Sequence, residues 1–529
     1  MRSGCMPKLT PNFVFIPGFL VPEIDRGPYG PAGDGEETRA PLRPGQLAFL
    51  KRRIARGDFQ AISITRYVLT APVRDLNIPS PQFSSFSGKG FPVVEVRAFR
   101  ALRYSKVAPE EMGEVSSPPY DVFTPAIRRA FYERHPLNIV RLIQGEILEG
   151  EDGDAGRVGR AVEYLENWRA GGEMTLDDAP ALYPYRQRFS LPDGTRLERN
   201  AFFAVVKLEP YGAGEIHPHE QTFPKPKGYL FDLWGRSGAH LGPIFGFYDE
   251  HEETANKALK SADKGAPIAD FEDDGVRHTL WRCDDAQVIA LAQESLLDRE
   301  VFIADGHHRY ETSLDLRDAA RADGAPEGAE ADYTLMCLAN VADPGMVILP
   351  TYRLLKKVSA TTEDALAALA GKYDILEEAA PETGAGGLVA ERLAALSREN
   401  GGASVFCLYD GGASVRYLIG RHGDGAGSVA EAVAALDVSR LHAEVVDGAF
   451  KASHEEGDIT FTPDPELALS SARSGECAVA LMLNPTPIES VCEIAKAGGK
   501  MPHKSTYFYP KIRTGLVVHA FAPPAGDSA

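Results

Sequence analysis

The sequence comprises 529 residues, of which 44% are hydrophobic and 25% are charged, a balance typical of a globular protein with two or three domains. A formal net charge of -19 and a pI near 5.2 argue against nucleic acid as the main partner, because nucleic-acid-binding surfaces are normally basic. The six cysteines are scattered without a CxxC pair, so the sequence indicates neither a disulfide framework nor a cysteine zinc site.

No apolar run reaches the roughly 20 residues that span a bilayer. Residues 13–22 are apolar but are interrupted by Pro17 and lack a basic region and a small-residue cleavage site, which argues against a signal peptide. We therefore predict a cytoplasmic protein that acts on a small molecule and has no membrane partner.

Residues 1–92 differ from the rest of the chain in their proline, glycine and serine clusters, and only residues 46–56 show a helical pattern. So little periodic apolar patterning predicts a disordered or loosely associated extension. The alternative is a misassigned start, with translation beginning near residue 93.

From residue 93 the pattern predicts a coherent fold, which begins with a half-buried strand over residues 93–104. Asp121 follows two prolines and precedes a predicted helix over residues 125–133, so it either caps this helix or belongs to a site. Further on, residues 181–191 and 200–208 predict two strands joined by an Asp-Gly turn.

A polar loop after these strands contains His217, His219 and Glu220. Residues of these types can bind a divalent metal or supply a base, and a His-x-His pair alone does not specify a closed zinc site. We favour Glu220 as a proton acceptor.

Residues 301–309, Val-Phe-Ile-Ala-Asp-Gly-His-His-Arg, predict a buried strand that ends in a turn and leads into a helix. This arrangement places backbone N–H groups, the positive end of a helix dipole and Arg309 around one spot, which suits phosphate. His307 and His308 can carry protons near neutral pH.

The second dense polar segment spans residues 500–511, where three lysines, two hydroxyls and a histidine lie beside three aromatic rings. Lys504, Ser505 and Thr506 suit an anionic ligand. Between the two segments, residues 333–339 and 346–349 predict a pair of strands around a turn.

The order of five motifs resembles the bacterial family known as domain of unknown function 1015, from about residue 93 to residue 518. These motifs are Arg97-Ala-Phe-Arg-Ala-Leu-Arg-Tyr, Pro118-Pro-Tyr-Asp121, His219-Glu220, Ala304-Asp-Gly-His-His-Arg309 and Met501-Pro-His-Lys-Ser-Thr-Tyr-Phe-Tyr-Pro-Lys511. The Asp-Gly-His-His-Arg element is also similar to the core of free serine kinases in the ParB and sulfiredoxin superfamily. That resemblance implies transfer of a phosphoryl group from a nucleotide to free serine, with a glutamate as base.

Phosphoryl transfer requires positioning and positive charge more than covalent chemistry. The predicted catalytic residues are Glu220, Asp305, His307 and His308, with Asp305 holding Mg²⁺ or orienting a histidine. The predicted substrate and phosphate ligands are Asp121, His219, Gly306, Arg309, Lys504, Ser505, Thr506 and Lys511. The donor is ATP, ADP or pyrophosphate.

Two other classes of function stay open at this level. A metal-dependent hydrolase would use His217, His219, His307 and His308, and a non-catalytic regulator would bind a nucleotide without turnover. A small-molecule kinase or phosphotransferase ranks first.

The predicted fold is α/β with a mixed sheet, a ParB/sulfiredoxin-like core and a central strand at residue 301. Residues 93–350 form the catalytic body, 351–520 a C-terminal α/β portion and 521–529 a tail. We predict that Asp121, Glu220, His307 and Lys504 converge on one cleft.

Overall fold

A computed structural model describes the backbone of residues 14–16 and 19–21, and residues 94–421, 428–455 and 457–521. The predictions for residues 1–92 therefore lie outside the described residues, apart from two short strands, as does most of the tail. These strands, Val14–Ile16 and Phe19–Val21, pair with each other in the antiparallel sense. They belong to a unit separate from the compact unit Lys89–Ala529.

The strands and helices below carry labels in chain order. The strands are β1 (Val14–Ile16), β2 (Phe19–Val21), β3 (Val96–Arg97), β4 (Ala101–Tyr104), β5 (Met174–Leu176), β6 (Tyr183–Ser190), β7 (Arg196–Lys207), β8 (Ile216–His217), β9 (Ala239–His240), β10 (Ile244–Tyr248), β11 (Ala269–Asp273), β12 (Val276–Leu280), β13 (Val301–Asp305), β14 (Tyr333–Asn340), β15 (Val347–Leu349), β16 (Tyr352–Leu355), β17 (Tyr373–Ala379), β18 (Val405–Tyr409), β19 (Ser414–Gly420), β20 (Ile459–Thr462), β21 (Val479–Leu483), β22 (Tyr507–Tyr509) and β23 (Val518–Ala520).

The α-helices are α1 (Met112–Val115), α2 (Pro125–Arg134), α3 (Val140–Ile143), α4 (Gly153–Ala170), α5 (Pro224–Ser237), α6 (Thr254–Leu259), α7 (Ala286–Leu296), α8 (His307–Ala322), α9 (Thr362–Leu369), α10 (Gly386–Glu399), α11 (Val429–Ala435), α12 (Asp437–Arg440), α13 (Pro465–Arg473) and α14 (Ile488–Lys496). Short 3₁₀ turns occur at Pro109–Glu111, Tyr120–Val122, Lys260–Lys264 and Glu330–Asp332, and a π-helix at Leu441–Ala449. No helix in this described part of the chain combines the length and the apolar composition needed to cross a membrane.

A nine-stranded sheet contains β13, the strand that ends at Asp305. Its strand order is β11-β12-β6-β7-β14-β10-β13-β8, with β3 paired to β7. The pairs β10–β14 and β13–β8 are parallel and the other pairs are antiparallel, so the predicted mixed sheet is confirmed. Val301, Phe302, Ile303 and Ala304 are buried, as their apolar run predicts, because neighbouring structure covers both faces of the strand.

Two predictions about strand placement are wrong. The strand at residue 301 is not central, because β13 is followed only by the two-residue edge strand β8. The strands near residues 333 and 346 do not pair with each other: β14 lies between β7 and β10, and β15 pairs with β22. The turn residues between the two strands favour a local hairpin. Each strand pairs instead with strands that are distant in the sequence.

A second, antiparallel sheet of six strands, in the order β17-β19-β18-β21-β16-β20, encloses its own hydrophobic core. Residues from Val491 to Val518 instead pack into the core around the first sheet. A four-stranded sheet, β5-β4-β23-β9, likewise joins the end of the chain to its beginning. We therefore propose that the second region extends from β16 to β21, and that the segment after it belongs to the catalytic body.

Candidate functional site

The turn after β13 has the predicted strand–turn–helix form. β13 ends at Asp305, and α8 begins at His307 with Gly306 at the N-cap position. Gly306 has φ of 97°, in the left-handed region that favours glycine. A Cβ at this position would lie 2.8 Å from Nε of Arg309. The glycine therefore satisfies the backbone geometry and leaves room for the guanidinium.

Arg309 points inward and not toward a ligand. One terminal nitrogen donates to the Pro243 carbonyl and the other donates to Oδ1 of Asp305 at 3.0 Å. Only 5% of the side chain is exposed. Arg309 therefore holds Asp305 through one of these bonds, and its bidentate contact with phosphate stays a prediction.

We expect Gly306→Ala to reduce the free energy of unfolding by about 2 kcal/mol or more, because an L-residue at positive φ costs about 1–2 kcal/mol and the new Cβ meets Arg309. Urea denaturation followed by circular dichroism measures this loss. Gly324, with φ of 94° and open space around its Cβ position, is the matched control. Equal losses in Gly306→Ala and Gly324→Ala would contradict a role for the contact with Arg309.

Asp305 is bound by two cations. Nζ of Lys511 donates to Oδ2 at 2.7 Å, while Arg309 holds Oδ1. Although burial alone would raise the pKa of Asp305, the charges of Lys511 and Arg309 lower it well below its usual range. Both oxygens of the ionised carboxylate are occupied by positively charged donors, so this donor set does not fit Mg²⁺ at Asp305.

His307 and His219 form a buried pair with ring centroids 4.7 Å apart and nearly perpendicular planes. The backbone N–H of His219 donates to Nε2 of His307 at 3.2 Å, so in the neutral ring the proton is on Nδ1. Nε2 of His219 lies 3.0 Å from the Thr506 hydroxyl. Burial lowers the pKa of His219 to about 4 and that of His307 well below its usual range, so both rings are neutral at pH 7.

His308 is half-buried on the outer side of the same turn. Its Nε2 accepts from the backbone N–H of Phe223 at 2.9 Å, and the two rings stack with centroids 6.0 Å apart. Burial lowers the pKa of His308. The contact ties helix α8 to the segment that follows Glu220.

Glu220 lies next to His307, with Oε2 3.6 Å from Nδ1. Burial raises the pKa of Glu220 to about 7, and the negative charge of Asp305 adds to this rise, while Lys511 and Lys504 oppose it. A carboxyl group with this pKa exchanges protons readily near neutral pH.

The segment of residues 501–511 lies beside Glu220, as predicted. The backbone N–H of Met501 donates to the His219 carbonyl at 2.8 Å, and Glu220 and Met501 form a parallel bridge. The hydroxyl of Ser505 donates to the Pro502 carbonyl at 2.6 Å, and Thr506 contacts His219. Both hydroxyls, which we predicted to bind substrate, have structural partners.

Lys504 differs from the other cations of the site. Its backbone is held in the left-handed region, with φ of 58°, and Nζ has no ion-pair partner among the described residues. Lys511, by contrast, is paired with Asp305 and lies over the Tyr507 ring at 4.7 Å. Among the described residues, Lys504 is therefore a cation that remains available to an anionic ligand.

A cleft of about 860 Å³ opens beside these groups, and Asp121, Lys504 and Lys511 line it. Asp121 is exposed at the cleft, yet the surrounding protein and the charge of Asp305 raise the pKa of its carboxyl group, while Arg309 and Lys511 lower it. Asp121 and Lys504 therefore share this cleft, whereas Glu220 and His307 lie next to each other and are not among the residues that line it. The convergence of all four residues on one cleft stays a prediction. Their chemical roles stay predictions.

Two buried arginines hold this region together and were missed. Arg353 donates to the Lys504 carbonyl at 3.2 Å, and Arg199 donates to the carbonyls of Tyr509 and Pro510. Burial lowers the pKa of Arg353 to about 9 and that of Arg199 to about 10. A charged residue in a strand whose other residues are apolar was the available signal for Arg353. Arg199 stands between Glu198 and Asn200, so its strand gave no such signal.

The described residues give no support to the predicted hydrolase ligand set. His219 and His307 use nitrogen atoms in contacts with Thr506 and the protein backbone. The group of three ligand side chains found in the described part of the chain contains His217 with Glu215 and Glu300, and not the other histidines.

Comparison with known protein families identifies the chain. The model of the family described as "Protein of unknown function (DUF1015)" matches residues 96–439, more than half of the sequence, so the chain belongs to this family. The predicted family is thus confirmed. No match is found among curated proteins.

Similar solved structures include a mutant free serine kinase in complex with ADP, at 16% identity and a TM-score of 0.29, covering 57% of this chain and 89% of that one. A conserved hypothetical protein from Pyrococcus furiosus has 16% identity and a TM-score of 0.27, with 57% and 92% covered. SbnI with a C-terminal truncation, from Staphylococcus aureus, has 10% identity and a TM-score of 0.28, with 62% and 90% covered. These low values carry no argument about the function of the chain, and the ParB/sulfiredoxin-like core stays a prediction.

Proposed function

We propose that this protein is a phosphotransferase that moves a phosphoryl group from a nucleotide or pyrophosphate to the hydroxyl group of a small acceptor. Free serine is the first acceptor to test, because the Asp-Gly-His-His-Arg motif resembles that of free serine kinases. The observation that carries the proposal is Glu220, a largely buried carboxyl group with a pKa near 7 that lies next to His307 and is influenced by the charges of Lys511 and Lys504.

The cations suit a phosphate group better than a neutral substrate. Lys504 has no ion-pair partner among the described residues and lines the cleft. Lys511 also lines the cleft, although its charge is shared with Asp305. The N-terminal end of α8 adds backbone N–H groups and a positive dipole. Together they would bind the anionic donor and stabilise charge on the transferring group.

The proton transfer follows from the position of Glu220. Its ionised carboxylate takes the proton from the acceptor hydroxyl, and that oxygen then forms the new bond to phosphorus as the bond to the donor's leaving oxygen breaks. The Nδ1–H of His307 faces Glu220 and, being neutral, does not hold the carboxylate in a strong ion pair. Glu220 is therefore free to accept a proton.

Phosphorus NMR tests the proposal with the purified chain. The protein is incubated with ATP, ADP or pyrophosphate, with Mg²⁺ and with a panel of amino acids and small alcohols. We expect donor consumption together with a new phosphomonoester signal for at least one acceptor. Folded protein that consumes no donor with any acceptor would contradict the proposal, and nucleotide binding without turnover would identify a regulator instead.

A further inference from the structure

A cluster of three potential metal ligands lies away from the cleft, where the edge strand β8 meets the beginning of β13. Glu215 directly precedes β8, His217 ends it, and Glu300 directly precedes β13. One ligand atom from each of these side chains lies within 4.8 Å of the others. Nε2 of His217 is 3.2 Å from Oε1 of Glu300 and 3.8 Å from Oε2 of Glu215.

The imidazole nitrogen at the centre of this cluster has no hydrogen-bond partner. Nε2 of His217 is buried from solvent and, despite its distance to Glu300, does not make a hydrogen bond with it. The ring packs against Phe302, with centroids 5.3 Å apart. A buried polar atom without a partner is costly, and two carboxylate oxygens facing an imidazole lone pair would repel it.

The charge distribution around Glu300 leaves one of its oxygens available. Lys496 pairs with Oε2 of Glu300, whereas Oε1 faces His217. The three side chains are largely but not completely buried, with 17% of His217, 29% of Glu215 and 33% of Glu300 exposed. Water can therefore reach the cluster and complete a coordination sphere.

These distances match those between neighbouring ligands of a metal ion. Ligand atoms that lie about 2.1 Å from a tetrahedral or octahedral ion are about 3.0 to 3.4 Å from each other. The distance from His217 to Glu300, 3.2 Å, falls within this range. A small rotation of the Glu215 side chain would shorten the distance from His217 to Glu215, now 3.8 Å, into the same range. One imidazole with two carboxylates favours a transition metal such as zinc or manganese over magnesium or calcium, which prefer oxygen ligands alone.

We propose that Glu215, His217 and Glu300 form a binding site for one divalent transition-metal ion, Zn²⁺ or Mn²⁺. The ion links β8 to the start of β13. These two strands pair with each other through only two residue pairs. Glu300 and Asp305 stand at opposite ends of β13, about 16 Å apart at about 3.3 Å per residue. The ion is therefore structural, and it fixes the strand that leads into His219 and Glu220.

Isothermal titration calorimetry tests this site directly. The full-length protein is stripped with EDTA, dialysed and titrated with ZnCl₂ and, separately, with MnCl₂. We expect one ion per chain for at least one of these metals and a higher melting temperature in its presence. His217→Ala and Glu300→Gln should each weaken binding at least about tenfold. The measurement needs no turnover, so its outcome is independent of the proposed phosphotransferase activity.

Two control variants separate this site from adventitious binding. Lys496→Gln removes the ammonium beside Glu300 without removing a ligand and should leave binding equal or tighter. His251→Ala removes an exposed histidine outside the cluster and should have no effect. No bound ion in the stripped and titrated protein would overturn the proposal. Binding that persists unchanged in Glu300→Gln, a variant close in shape to the native protein, would overturn it as well.

Discussion

Replacing Glu220 with glutamine is expected to lower kcat by about 10²- to 10⁴-fold in the phosphoryl-transfer assay, the usual contribution of a general base. The amide has nearly the shape of the carboxylate but cannot accept the proton from the hydroxyl. Since Glu220 has a pKa near 7, the wild-type rate should rise with pH to a plateau with its midpoint near that value. The residual rate of the variant should lack this midpoint.

Steady-state kinetics from pH 5 to pH 9 checks both parts of this prediction. Glu311→Gln is the control, because Glu311 lies on the same helix α8 but is bound by Lys227 and Thr222, and its kcat should stay close to that of the wild type. A Glu220→Gln variant that keeps its kcat or its pH midpoint would show that another group is the base.

Stability gives a second readout for the same variant. The pKa of Glu220 is raised above the usual carboxyl value of 4.5, so the folded state binds its proton more tightly than the unfolded state does. The resulting stabilisation is complete below about pH 4.5 and is lost as the pH rises through about 7. Glu220→Gln should therefore become more stable relative to the wild type as the pH rises from about 4.5 to about 7. Such a stable variant would also show that misfolding does not cause its lower kcat.

Local patterns predicted the local geometry of the site. Four apolar residues followed by Asp305 and Gly306 predicted the buried strand and the turn. Both signals are local, because an apolar run indicates a strand buried on both faces and a glycine permits a left-handed backbone. The predicted helix after Asp121 is present as α2, and it is capped by Thr124, whose hydroxyl oxygen accepts from the Ile127 backbone N–H. The meeting of the loop at Glu220 with residues 501–511 came from the family resemblance and not from any periodicity.

The assignment of partners could not be predicted in the same way. The sequence contains several cations near the site, but it does not show that Arg309 turns toward the Pro243 carbonyl or that Lys511 reaches Asp305. These pairs depend on segments that are 66 and 206 residues apart in the chain. No local pattern distinguished Lys504, which has no ion-pair partner among the described residues, from Lys511, which is paired with Asp305. The prediction that β14 and β15 pair with each other was wrong for the same reason, because their partners lie far away in the chain.

The ion pairs of Asp305 lead to the largest expected change in stability. Asp305→Asn is expected to reduce the free energy of unfolding by about 3–5 kcal/mol at pH 7, because it leaves the buried charges of Lys511 and Arg309 without their carboxylate. Guanidinium denaturation measures the loss. Asp374→Asn is the control: it breaks the exposed pair with Arg421 and should cost no more than about 1 kcal/mol.

The pH dependence of this loss identifies the charge of Asp305 as its cause. The pKa of Asp305 is lowered below its usual value of 3.8, so its contribution to stability is present above about pH 3.8 and is lost as the pH falls through the folded-state value. The difference between wild type and Asp305→Asn should therefore shrink as the solution becomes more acidic than about pH 3.8. Adding Lys511→Met to Asp305→Asn should recover part of the loss, since it removes the unpaired ammonium. A double variant no more stable than Asp305→Asn would show that packing around the turn, and not the unpaired charge, causes the loss.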